Sequence, residues 1–156
     1  MSAARAKRDM MAGATKTQTI LLVGMVPSDG VCLDRILLGS NWQSHGVGTC
    51  QQALDFLDRH HVSVVLSELE LSDGSWRVLL NGMASLSAPP NLIVSSRLAD
   101  HRLWAEVLNL GGFDVLMTPF ETEEVLRVTL AARHNWGSKQ SQGLARAASV
   151  GASQPQ

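Results

Sequence analysis

The stretch Val62-Ser63-Val64-Val65-Leu66-Ser67-Glu68 constrains this chain most. A β-branched, apolar run of this length suits a strand buried on both faces of a parallel sheet. It ends on a carboxylate and passes through Leu69-Glu70-Leu71-Ser72 into Asp73-Gly74, a turn signal. In open α/β sheets, ligands sit beyond the carboxyl ends of the strands, near the point where strand order reverses. Glu68 therefore occupies the position where a site is built.

The rest of the chain supplies the partners of that strand. Thr19–Val23 reads as a first buried strand. Ser28 or Asp29 is placed to cap a helix carrying Val31, Leu33, Ile36 and Leu37. Residues 41–48 read as a short, mixed-polarity edge strand. Thr49–His60 reads as a helix with Ala53, Leu54 and Leu57 on one face. A helix over Ser75–Leu86 carries Trp76, Val78, Leu79 and Met83 and is stopped by Ala88-Pro89-Pro90. Asn91–Ser95 is a fourth strand. Asp100–Leu110 is a helix closed by Gly111-Gly112, Phe113–Met117 a fifth strand, and Glu121–His134 a last helix with Glu121, Glu123 and Glu124 at its positive end. Strands alternating with helices over short connections predict a doubly wound α/β fold with helices on both faces.

Three segments follow: a flexible basic arm over 1–17, a folded domain over 18–136, and a Ser-, Gln-, Gly- and Ala-rich tail over 137–156 expected to be disordered. Charge divides along the same lines. Residues 18–136 hold seven basic and thirteen acidic side chains, a net of −6, whereas the flanks hold six basic and one acidic, a net of +5. All three lysines, Lys7, Lys16 and Lys139, fall in the flanks, so the folded domain is expected to contain none. No apolar run reaches the ~20 residues that span a bilayer, and residues 1–17 lack the apolar core of a signal peptide. Cys32 and Cys50 lack metal or redox spacing. A cytoplasmic, non-membrane protein is the expectation.

The order of elements, with Leu69-x-Leu71-x-Asp73-Gly74, Gly111-Gly112-x-Asp114-x-Leu116 and Pro119-Phe120, resembles the CheY-like receiver domain of two-component response regulators. The resemblance covers Thr19 to about Ala132. It implies a flavodoxin-like, five-stranded parallel sheet of order 2-1-3-4-5. It also implies a phosphoacceptor Asp ending the third strand and an acidic pair after the first that shares a Mg²⁺ with it. A Ser/Thr after the fourth strand, a Lys before the Pro-Phe pair and a switch aromatic on the fifth strand complete the family pattern. In this sequence the phosphoacceptor position is Glu68. The acidic pair falls on Gly24 and Met25, the Lys position on Thr118 and the aromatic on Val115. Ser96 alone keeps the family residue type.

These exchanges have physical consequences. Mg²⁺ takes hard oxygen ligands in octahedral geometry; Gly24 offers no side-chain oxygen and Met25 only a soft thioether. Phosphoryl transfer rests on charge neutralisation by metal and cation, and one added methylene displaces the attacking oxygen, where a ~1 Å error can cost 10²-fold. Neither Mg²⁺ nor another cofactor is expected, nor is enzymatic activity. The reading is a degenerate pseudo-receiver that works by protein–protein interaction, with a signalling kinase, an output protein or a second copy as partner. Glu68 either supplies a fixed, phosphomimetic charge or is simply tolerated at a half-solvated strand end. Arg97 either reaches across to Glu68 or extends into solvent. Trp104, Leu108, Phe113 and Met117 either form a partner face or pack as core. Competing readings are a receiver phosphorylated elsewhere, at Ser67 or Asp73, and a flavodoxin-like ligand-binding or enzyme domain using Glu68 as base. Nucleic acid is not an expected partner, since the region after His134 is too short and polar for a helix-turn-helix.

Overall fold

A computed structural model describes residues 17–98 and 100–152, with side chains described as far as residue 142. The arm over 1–16, including Lys7 and Lys16, and the last four residues lie outside the described residues. The elements are β1 (Gln18–Val23), α1 (Pro27–Leu37), β2 (Trp42–Val47), α2 (Cys50–Arg59), β3 (Val64–Glu68), β4 (Glu70–Leu71), β5 (Gly74–Ser75), α3 (Trp76–Met83), β6 (Asn91–Ser96), α4 (His101–Leu110), β7 (Asp114–Met117) and α5 (Thr122–Ala152). The main sheet is parallel, in the order β2-β1-β3-β6-β7. Counted over its own five strands this is the expected 2-1-3-4-5 arrangement.

The burial of β3 and β6 on both faces explains their unbroken apolar runs. Leu21, Val23, Val65, Leu92 and Val94 face one layer with Leu57, Trp76, Leu79 and Met83 of α2 and α3. Ile20, Leu22, Val64, Leu66 and Ile93 face the other with Leu33 and Leu37 of α1 and Val125, Val128 and Ala132 of α5. Alternation along each strand thus divides one hydrophobic sequence between two cores. Val31 and Val78, grouped with these helix faces by spacing, are about half exposed.

The helix ends show how local chemistry sets the connections. Thr49 and Gln52 form a reciprocal capping box at α2. The Asp100 side chain accepts from Leu103 N–H to cap α4, and Gly111, at φ +108°, closes it. Helix α1 departs from expectation. Neither Ser28 nor Asp29 caps it: Val26 is the N-cap without a side-chain bond, and Pro27 opens the first turn. Both polar residues lie inside the helix.

The turn expected at Asp73-Gly74 closes a short antiparallel hairpin, β4–β5. A further correction concerns the C-terminal part. The last helix does not end at His134 but continues to Ala152. Thus 137–152, expected to be disordered, is helical. No proline interrupts it, and Ala, Gln, Leu, Lys and Arg are adequate helix formers. Its first added turn is tied down where the Lys139 ammonium donates to Asn91 Oδ1 at 3.1 Å. A lysine therefore does pack against the folded domain.

Candidate functional site at the strand ends

Glu68 is the last residue of β3 and is half-buried. Its register partner on β6, Ser95, is fully buried, and the Ser95 hydroxyl donates weakly to the Ser67 carbonyl at 3.5 Å. Burial pushes the Glu68 carboxyl above its ordinary value; the Ser95 hydroxyl pulls it down, the Asp29 carboxylate pushes it up, and the Arg97 guanidinium pulls it down. Burial thus works against a standing charge at this position, while Ser95 and Arg97 favour one. Because the folded pKa is raised, the stability Glu68 contributes is present at acid pH and lost as pH rises through the folded value.

Glu68, Ser96 and Arg97 line one shallow depression of about 480 Å³, together with Leu98, Arg102 and Glu106. Arg97 is exposed, and among the described residues no ion pair joins it to Glu68; the ion pair present there is Arg77–Glu106. Arg97 therefore acts on Glu68 from a distance. Ser96 is buried, and its hydroxyl oxygen accepts the Leu98 N–H at 3.1 Å, so the oxygen caps the turn that leaves β6. Thr118 is also buried, its N–H donating to the Ser96 carbonyl at 3.0 Å ahead of a cis bond to Pro119. Val115 packs into the core of the α2–α3 layer.

The acidic-pair positions are occupied differently. Gly24 has φ +74°, a left-handed conformation that disfavours any side chain. A Cβ built there would lie 2.4 Å from Leu71 Cδ2, with Glu68 Cβ next at 3.7 Å. Leu71, buried on the β4–β5 hairpin, thus fills the space into which a carboxylate at position 24 would project. Met25 packs against the α1–α5 core and lines a groove between α1 and β2. These residues do not fit a receiver-type Mg²⁺ site: at one acidic-pair position a buried methyl group takes the space, and at the other stands a soft thioether.

Asp29 is the residue that sequence reasoning missed here. It reads as a helix cap, yet its charge is the one carboxylate that acts on Glu68. The signal available was its place one turn beyond Met25 on a helix leaving the same strand ends. The alternative phosphoacceptors are both engaged. Ser67 is fully buried, with its hydroxyl donating to the Glu68 carbonyl at 2.9 Å. Asp73 Oδ1 accepts Cys50 N–H at 2.7 Å and Asp73 Oδ2 accepts Gln51 N–H at 3.0 Å, which holds this carboxyl below its ordinary value. Burial and Asp73 together push the Cys50 thiol up, away from the reactive thiolate.

Of the residues expected on a partner face, three are exposed and one is not. Trp104 and Leu108 lie one turn apart on α4 and, with Met117 of β7, are between a third and a half exposed. Phe113 is instead half-buried against the α1–α5 core.

The five-stranded order, the helices on both faces and the site at the strand ends define a receiver-type flavodoxin-like fold. Solved structures agree. The signal receiver domain of an HD domain-containing protein from Pseudomonas fluorescens Pf-5 superposes with a TM-score of 0.73 at 23% identity, covering 81% of this chain and 94% of that one. The chemotaxis response regulator CheY4 of Vibrio cholerae gives 0.68 at 13% identity, over 75% and 99%. The beryllofluoride-activated NtrC4 receiver domain dimer gives 0.69 at 18% identity, over 76% and 98%. No protein-family model matches the chain, and no curated protein matches it by sequence. Among the described residues no helix is long and apolar enough to cross a membrane.

Proposed function

We propose that this chain is a pseudo-receiver: a signalling module of the two-component type that no longer takes up phosphate through a Mg²⁺-dependent aspartate and works through protein contacts. The observation that carries this reading is Gly24, whose left-handed backbone disfavours any side chain and whose side-chain space is taken by Leu71 Cδ2, where a metal would need a carboxylate. Thr118 in place of the Lys and Val115 in place of the switch aromatic point the same way. Glu68, on this reading, supplies the standing negative charge beside Ser96 and Arg97. Its partner is a signalling kinase, an output protein or a second copy; the receiver of NtrC4 forms a dimer.

The test is incubation of the chain with acetyl phosphate and Mg²⁺, followed by intact mass measurement, alongside Mg²⁺ calorimetry. An unmodified mass and no heat of binding are expected. A stable phosphoryl adduct, or tight Mg²⁺ binding lost on Glu68→Gln or Asp29→Asn, would overturn the reading.

A further inference from the structure

A cavity of about 550 Å³ opens at the amino end of the sheet, the end opposite Glu68. Leu80 and Met83 of α3 and Leu110 at the end of α4 give it an apolar floor. Its cationic lining residues are Arg77 and Lys139, and among the described residues no carboxylate lines it. This runs against the charge of the domain, which is −6 over residues 18–136.

The two cations are not equivalent. Arg77 is already neutralised by the Glu106 carboxylate. The Lys139 ammonium instead donates to a neutral acceptor, Asn91 Oδ1. Asn91 is only 6% exposed and is itself held fast. Its Nδ2 donates to the Ala132 carbonyl at 2.8 Å and to Asn135 Oδ1 at 3.0 Å, which fixes Oδ1 toward the lysine. A buried, doubly anchored amide thus positions an ammonium at an apolar cavity. An ammonium has three donors, and this contact uses one. An apolar cavity with a few convergent polar groups is the usual form of a small-molecule site.

We propose that this cavity binds a small amphipathic carboxylate, whose charged end pairs with Lys139 and whose hydrocarbon body covers Leu80 and Leu110. Such a site is independent of Glu68 and of phosphorylation. It exists because α5 continues beyond His134 and carries Lys139 over the first residue of β6.

The probe is hexanoate, titrated into the full chain and followed by amide nitrogen–proton spectra, with hexanol and hexylamine as uncharged and cationic controls. Saturable shifts are expected around Leu80, Leu110 and Lys139 with hexanoate and not with hexylamine. Lys139→Gln should weaken binding about tenfold, the scale of one charge-assisted hydrogen bond, and Lys139→Arg should retain it. No saturable shift up to about 10 mM, below which any useful millimolar affinity registers, would overturn the proposal. So would hexanol binding as tightly as hexanoate, or a Lys139→Gln variant that binds as well as the parent.

Discussion

The exchange of a carboxylate for glycine at position 24 is more than the loss of a ligand, because Leu71 has taken the space. The two residues should therefore be energetically coupled. Gly24→Asp places a side chain at φ +74°, which costs about 1 kcal/mol in the left-handed region, and drives its Cβ into Leu71 Cδ2. Leu71→Ala removes a buried side chain, at about 2–5 kcal/mol. In the double variant the clash is gone, so the combined loss should fall short of the sum by about 0.5–3 kcal/mol, the range seen for residues in contact. Denaturant unfolding of the four proteins checks this; additivity would mean that Leu71 does not fill the acid position. At this scale the sequence shows which residues depart from the receiver pattern, since Gly24, Met25, Thr118 and Val115 are found by counting from Val23, Pro119 and Phe120. It does not show that Leu71 covers Gly24 or that the Asp29 charge acts on Glu68. Those relations depend on the backbone path after β1 and β3, and no local pattern encodes a meeting of residues 24 and 71.

Most elements follow from apolar periodicity and turn chemistry, with bounds within a few residues. The departures occur where a short polar side chain has more than one partner to choose from. Asp73 beside Gly74 reads as a turn residue, and it does sit in a turn, between β4 and β5. Its carboxylate, however, spans to the first N–H groups of α2 and pins the hairpin there. These N–H groups have no intrahelical partner, so an anion is favoured at this end of the helix. The folded pKa of Asp73 is thereby lowered. A lowered carboxylate pKa contributes stability above the unfolded value, about 3.9, and that stability is lost as pH falls through the folded value. Asp73→Asn should accordingly lower the melting temperature at neutral pH, with the gap to the parent closing as the pH drops into the acid range. Thermal unfolding across pH 7 to about 2.5, spanning the carboxylate range, checks it. A gap of constant size at all pH values would mean that the charge of Asp73 does not hold α2. The same ambiguity hid the length of α5: Ser, Gln and Gly read as tail, while the helix formers between them and the bond from Lys139 to Asn91 carry the helix on.

For the whole molecule, the alternation of strands and helices was enough to reach the doubly wound sheet, because parallel strands need crossovers and right-handed crossovers leave few arrangements; the strand order came from the resemblance to the receiver domain. What the sequence leaves open at this scale is which apolar residues remain outside. Trp104, Leu108 and Met117 fit helix and strand patterns equally well as core or as surface, and the structure leaves them about 48%, 37% and 49% exposed. A contiguous patch of exposed apolar side chains marks an interaction surface, and a partner face is proposed for these three. If a second copy is the partner, burial of the apolar face favours association, and net repulsion opposes it little, since the −6 of residues 18–136 is offset by +5 on the flanks to leave −1. Salt screens charge over a Debye length of about 8 Å at 0.15 M and leaves the apolar contact intact. Association should therefore hold as salt is raised from low ionic strength, unlike an interface built on ion pairs, which weakens. Trp104→Ser should weaken it about tenfold or more, since aromatic anchors carry a large share of interface energy. Sedimentation at protein concentrations up to about 1 mM, where a dimer worth only about 4 kcal/mol becomes visible, reads both effects. A chain that stays monomeric throughout, or one whose association falls with salt and is indifferent to Trp104→Ser, would assign this face to a different partner.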